Sequence, residues 1–272
     1  MNIYDSVQSA SSGTLLSGKT AFITGAGSGI GRAAALTMAR HGAAVGLIDL
    51  MDGRCHEVEE EIRSEGGRAL FVDTDVSNPE RMARAAASVA REFGGQIHLL
   101  FANAGINGTL APIEDMTPED WDKTLNVNLK GSFLALKYSI PYMKQSGGSI
   151  IITSSINGNR KFSGFGMCAY SSSKAGQVAF AKMAALELAR YHIRVNAICP
   201  GAIDTNIGEN TNSTPQLDKI SIPVNYPEGS QPLEHGPGHP QQVADLVLFL
   251  SSDHASHITG TEIYIDGAET LL

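Results

Sequence analysis

Tyr170 and Lys174 stand one helical turn apart in the run Tyr170-Ser-Ser-Ser-Lys174. On a helix both side chains fall on one face, close enough for the ammonium to act on the phenol. A free tyrosine titrates near pH ~10. A neighbouring cation stabilises the phenolate and moves that value toward neutrality. A tyrosine so placed can give or take a proton during turnover. Ser155, at the end of an apolar run, can bring a hydroxyl beside it to hold a substrate oxygen. Alone, Tyr-x-x-x-Lys is as readily a chance pair on a solvated helix, so the surrounding elements decide what it means.

Residues 19–24 are a short apolar run with strand character. Gly25-Ala-Gly27-Ser28-Gly29-Ile30-Gly31 follows, then an alanine-rich helical stretch, 32–41, that stops at Gly42. Strand, glycine turn and helix are what a nucleotide-phosphate site needs: glycines admit the phosphates to the backbone, and the helix start supplies free amides. The spacing is G-x-x-x-G-x-G with Gly27 extra. A second buried strand, 44–48, ends in Asp49, roughly twenty residues past the glycines, where a carboxylate accepts from an adenosine ribose and repels a 2′-phosphate. Arg32 lies near the glycine loop, but Leu50 and Met51 rather than cations follow Asp49, so NAD is expected over NADP. Asp49 could equally cap a helix over 52–65.

A third strand, 69–73, leads to Asp75-Val76, and a helix is expected over 79–93. A fourth strand, 97–102, leads to Asn103-Ala104-Gly105, small residues that let a cofactor lie against strand ends. Thr117-Pro118-Glu119 opens a long helix with an N-cap, a proline at the first position and acids in the first turn. Asn128 is polar inside its apolar stretch, where a kink or an ordered water is expected. Strand 148–154 carries Ser155 at its end, and strand 193–198 precedes the reversal Pro200-Gly201-Ala-Ile-Asp204-Thr205. Residues 206–240 are irregular and proline-rich, as in a lid or binding loop. A helix over 241–251 and a strand over 262–266, ended by Gly267, complete the chain.

At 272 residues the chain suits one large α/β domain, and 42% apolar with 18% charged residues is ordinary for a globular protein. The net charge of −8 argues against nucleic acid, and no apolar run is long enough to span a bilayer. Residues 1–18 lack the basic start and apolar middle of a signal peptide. Cys55, Cys168 and Cys199 form neither a disulfide framework nor a metal spacing, and a reducing cytoplasm is the expected location. The eight histidines show no ligand pattern, so no metal is expected.

Strands alternating with helices imply a doubly wound parallel sheet, a Rossmann fold. Thr24-Gly-Ala-Gly-Ser-Gly-Ile-Gly31, Asn103-Ala-Gly105, Asn128, Ser155 and Tyr170-x-x-x-Lys174, with Pro200-Gly201 and Gly260-Thr-Glu-Ile-Tyr-Ile-Asp-Gly267, together resemble the short-chain dehydrogenase/reductase family. The resemblance covers nearly all of the chain. It implies a seven-stranded single domain over 18–272, after a tail over 1–17, with a lid at about 206–240. It makes Tyr170 the general acid/base and Lys174 a ribose ligand that lowers the tyrosine pKa. Ser155 holds the substrate oxygen, and Asn128 holds a water linking Lys174 to solvent. For the cofactor it implies Gly25, Ser28, Ile30, Asp49, Asp75, Val76, Asn103 and Thr205, beside Gly29, Gly31, Ala104, Gly105, Pro200 and Gly201.

The expected function is an NAD-dependent oxidoreductase of a small alcohol or ketone, with no nucleic-acid or membrane partner. The resemblance also implies a homotetramer through the helices near 118–144 and 169–190. The loop from Ser155 to Tyr170 is longer than the family's, and its Asn157, Asn159, Arg160 and Lys161 are candidate contacts for a polar or anionic substrate. Two alternatives remain: an NADP-linked carbonyl reductase of the 3-oxoacyl type, and a catalytically silent dinucleotide-binding sensor.

Overall fold

The computed structural model describes residues 14–50, 53–162 and 164–272. Seven strands form one parallel sheet: β1 (Thr20–Thr24), β2 (Ala44–Asp49), β3 (Arg68–Asp73), β4 (Leu99–Ala102), β6 (Gly148–Thr153), β7 (Ile193–Pro200) and β9 (Glu262–Ile265). Their order is β3-β2-β1-β4-β6-β7-β9. The order reverses beside β1, so the loops after β1 and β4 diverge there and leave a crevice at the strands' carboxyl ends.

Helices cover both faces: α1 (Gly29–Arg40), α2 (Arg54–Ser64), α3 (Pro79–Glu92), α4 (Pro118–Leu125), α5 (Gly131–Met143), α6 (Cys168–Leu188) and α7 (Pro240–Ser251). Successive strand residues point to opposite faces. Thus Phe22, Leu100, Ile150 and Val195 enter one core with side chains of α3, α5 and α6, while Ile23, Phe101, Ile151 and Ile198 enter the other with α1, α2 and α7. Because both faces are covered, β1 is buried at every position and reads as a continuous apolar run rather than an alternation.

Several boundaries differ from those read in the sequence. The catalytic-candidate helix starts at Cys168, which puts Tyr170 in its first turn. The long helix opening at Pro118 is interrupted by a π-turn, Asn126–Lys130, before α5 continues it, at the place where Asn128 interrupts the apolar pattern. Residues 206–240 contain turns and a short strand, β8 (Thr211–Ser213), which pairs in parallel with β5 (Gly108–Leu110) and joins the lid to the loop after β4. Of the expected tail, residues 1–13 lie outside the described residues. The rest form a turn whose Leu16 is buried in the core, so packing begins before residue 18.

Candidate active site

A cleft of about 810 Å³ runs along the carboxyl ends of the strands. At one end the turn after β1 presents Gly25, Ser28, Gly29 and Ile30, with the start of α1 facing the cleft. Backbone packing dictates the glycines here. Gly25 has φ +67°, and a Cβ on it would lie 2.9 Å from the Ala104 Cα. A Cβ on Gly31 would lie within bonding distance of the Gly25 carbonyl oxygen, so Gly31 shapes the turn from behind without lining the cleft. Asp49 closes this end: its Oδ2 accepts from the Gly27 amide at 2.9 Å and its Oδ1 from the Leu50 amide at 2.8 Å. Asp49 is thus fixed by the glycine loop rather than capping α2, whose N-cap is Gly53. Of the nearby cations, Arg32 pairs with Glu61 and Arg54 with Glu209.

The middle of the cleft is lined by Asp75, Val76 and Asn103-Ala104-Gly105. The Asn103 and Ala104 amides both donate to the Thr24 hydroxyl (3.0 and 3.1 Å), and Asn103 Oδ1 accepts from the Thr153 hydroxyl at 3.0 Å. One asparagine therefore ties the ends of β1, β4 and β6 together.

At the far end Ser155, Tyr170 and Lys174 meet, with Pro200, Gly201 and Thr205 across from them. The Ser155 hydroxyl acts on the Tyr170 phenol and accepts from the Asn157 amide at 3.1 Å. Lys174 Nζ lies 5.4 Å from the Tyr170 ring centroid and donates to the Thr153 carbonyl at 2.9 Å. Both residues are buried. Burial raises the Tyr170 phenol above its ordinary value, opposed by the Ser155 hydrogen bond. Burial also lowers Lys174 to about 8. The expected downward shift of Tyr170 by Lys174 is therefore not found here. Desolvation sets the direction and only the Ser155 hydroxyl opposes it, while the ammonium's hydrogen bond goes to a backbone carbonyl rather than to the phenol.

Asn128 lies behind this wall, fully buried. Its Oδ1 accepts from the Ile106 amide at 2.8 Å, and its Nδ2 donates to the Ile106 carbonyl and the Ser173 hydroxyl, both at 3.0 Å. Its main-chain carbonyl sits in the π-turn and accepts from Ser132 Oγ at 2.8 Å and Gln177 Nε2 at 2.9 Å. Asn128 thus locks the loop after β4 to α6, the helix that bears Tyr170 and Lys174.

Two participants escaped sequence reading. Gln177, three residues past Lys174, reads as an ordinary helical residue, and only its burial against the π-turn reveals it. Glu269 lines the cleft from the C-terminal turn and accepts from Lys161 Nζ at 2.9 Å. The partners are 108 positions apart, and no local motif links them. The candidate substrate contacts Arg160 and Lys161 are engaged elsewhere: Arg160 stacks on the Tyr264 ring at 3.6 Å and Lys161 pairs with Glu269.

A family model described as enoyl-(acyl carrier protein) reductase matches residues 25–268. The chain belongs to the short-chain dehydrogenase/reductase family. It is 45% identical to a solved structure described as a 3-ketoacyl-ACP reductase from Sinorhizobium meliloti 1021, with TM-score 0.87 over 93% of this chain and 99% of that one. It is 36% identical to the cyclohexanol dehydrogenase of an Acinetobacter species, over 93% of this chain and 95% of the relative. It is likewise 36% identical to the trans-4-hydroxycyclohexanecarboxylate dehydrogenase of Sinomonas cyclohexanicum, over 93% of each. This short-chain dehydrogenase/reductase is an oxidoreductase acting on CH–OH or carbonyl groups, and the family's cofactor is a nicotinamide dinucleotide. The cleft suits that group: glycines leave the backbone bare at a helix start, and a fixed carboxylate stands at the end of β2. Among the described residues no helix is long and apolar enough to cross a membrane.

Proposed function

We propose that this enzyme interconverts secondary alcohols and ketones with NAD, moving the proton through Tyr170. The observation that carries the reading is the buried cluster of Ser155, Tyr170 and Lys174 at the end of the cleft, with the Lys174 ammonium 5.4 Å from the Tyr170 ring. When bound, the nicotinamide supplies or accepts the hydride. The chain's own residues hold and move the proton. Ser155 and Tyr170 offer two hydroxyls to the substrate oxygen. A phenol held protonated by burial is poised to donate as a carbonyl is reduced. In the oxidative direction Tyr170 must lose that proton, which a positive charge on the oxidised cofactor favours.

Lys174 spends one N–H on Thr153 and keeps two for the ribose and a water. Asn128 holds the loop and helix that set these distances. It completes the relay by keeping that water in place. Gly25, Ser28, Gly29 and Ile30 would receive the pyrophosphate, with Gly31 behind them. Asp49 would receive the adenosine ribose, and Asp75 and Val76 would flank the adenine. Asn103, Ala104, Gly105, Pro200, Gly201 and Thr205 would enclose the nicotinamide half.

Asp49 supports NAD over NADP, because a 2′-phosphate would meet its carboxylate while Arg32 and Arg54 are already paired. A second reading, an NADP-linked 3-oxoacyl-type reductase, is favoured by the likeness to the 3-ketoacyl-ACP reductase. Absorbance at the reduced-nicotinamide band separates them. The wild type is assayed with NAD and with NADP against secondary alcohols that include cyclohexanol and trans-4-hydroxycyclohexanecarboxylate. Faster turnover with NAD supports the first reading, and faster turnover with NADP supports the second. A homotetramer belongs to the same proposal, supported by Trp121, Phe133, Met183 and Leu186, which are exposed on α4, α5 and α6. Its check is the mass in solution.

A further inference from the structure

The wall of the cleft beyond Ser155 includes Ile156 and Asn157 of the loop 156–161, Ala202 of the reversal after β7 and Glu269 of the C-terminal turn. Glu269 is 8% exposed. Its Oε1 accepts from Lys161 Nζ at 2.9 Å, and its Oε2 accepts from the Ala202 amide at 2.9 Å and from Gln231 Nε2 at 3.2 Å. Four segments thus meet on one carboxylate: the loop between the two candidate catalytic hydroxyls, the reversal after β7, the lid and the chain's end.

Electrostatics follows from this arrangement. Lys161 and Arg160 are the cations of the loop. Arg160 is stacked on Tyr264, and Lys161 is bound to Glu269 with its side chain 16% exposed. A substrate carboxylate entering beside Glu269 finds the Lys161 charge already cancelled, so the pair offers it no counter-charge against the cost of leaving water. Selection against such a ligand comes from that uncompensated desolvation, since neither Arg160 nor Lys161 itself lines the cleft. An uncharged alcohol meets a neutral pair and loses nothing. Lys123 also lines the cleft, but from α4 and not from this wall.

We propose that Glu269, by cancelling the charge of Lys161, is a specificity determinant that selects uncharged alcohols or ketones over their carboxylate-bearing counterparts. The proposal rests on the alcohol/ketone reading above and narrows its substrate class.

Two cyclic alcohols that differ by one carboxylate supply the probes: cyclohexanol and trans-4-hydroxycyclohexanecarboxylate. Their affinities are measured by ligand-observed NMR on protein saturated with the tighter-binding nicotinamide cofactor. Wild type is expected to bind the neutral compound more tightly. Glu269→Gln keeps the side chain's shape and leaves the Lys161 ammonium unopposed. It should raise the ratio of acid to neutral affinity about tenfold, a shift of ~1.4 kcal/mol. The double variant Lys161→Met with Glu269→Gln leaves neither charge buried alone and should return the ratio to the wild-type value.

Equal or tighter binding of the acid by wild type overturns the proposal, and that comparison needs no variant. An unchanged ratio in Glu269→Gln, or a raised ratio that persists in the double variant, also overturns it. These readouts are affinities. Loss of the Tyr170 mechanism or of the NAD assignment would therefore show in turnover and leave this result intact.

Discussion

The two ends of the cleft are built from different materials. The end after β1 is backbone: a glycine turn, exposed amides and one carboxylate that is itself held by two amides. The end after β6 is side chain: Ser155, Tyr170 and Lys174, buried and braced by Asn128, Thr153 and Gln177. A backbone-built site is vulnerable to added volume and nearly indifferent to polarity. A site built from buried side chains is vulnerable to the loss of a single polar atom, and it holds its charges at a cost in stability.

The largest effect is expected from Gly31→Ala. The new Cβ would collide with the Gly25 carbonyl, a backbone atom that cannot move without opening the turn. The loss should reach or exceed the ~3 kcal/mol upper range of overpacking. Thermal melting and NADH binding check it, and a stable variant that still binds cofactor would break the contrast.

Lys174→Met comes next, and its two readouts should move in opposite directions. Turnover should fall by on the order of 10²–10⁴. Stability should rise, because burial holds Lys174 at about 8 against an ordinary 10.5. The unfolded chain then binds the proton more tightly than the folded one. The buried ammonium destabilises the fold below about pH 8, and stability increases with pH from there to 10.5. That shift corresponds to about 3 kcal/mol, less the lost hydrogen bond to Thr153. Melting curves at pH 7 and pH 10 test the sign: the variant should lead at the lower pH and its advantage should shrink at the higher.

Asp49→Ala should weaken NADH binding about tenfold and narrow the preference over NADPH, the scale of one charge-assisted contact. Titration with both reduced cofactors measures it. The smallest effect belongs to Gly27→Ala. Its backbone needs no positive φ, and a Cβ there would lie 3.1 Å from Asp49 Oδ2 and 3.2 Å from Cys55 Sγ. Neighbours can yield by that much, so the cost should stay under ~1 kcal/mol. A loss as large as that of Gly31→Ala would erase the distinction between the two glycines.

The same contrast governs what the sequence could reveal. Backbone-built features leave a trace in residue type, because only glycine fits at Gly25 and Gly31. The strands of the large sheet were legible because burial on both faces makes them continuous apolar runs. The Tyr170–Lys174 spacing was legible because a helix enforces it. Asn128 announced an irregularity, but the π-turn and the hydrogen bond from Gln177 needed coordinates. The β5–β8 pair was invisible, since three residues such as Gly108–Leu110 carry no period. The direction of the Tyr170 shift was also hidden, because a motif shows the neighbouring charge and not the burial that sets the shift. Glu269 shows the limit most plainly: its partners come from three remote segments.

In the proposed mechanism Tyr170 moves the proton while the rest of the cleft binds and orients. The direct measurement compares nicotinamide-linked turnover and cofactor affinity in the wild type and in Tyr170→Phe, which deletes one oxygen. Turnover should fall on the order of 10²–10⁴, with the cofactor dissociation constant within about twofold of wild type. Unchanged turnover in Tyr170→Phe would contradict it and assign the proton to another group.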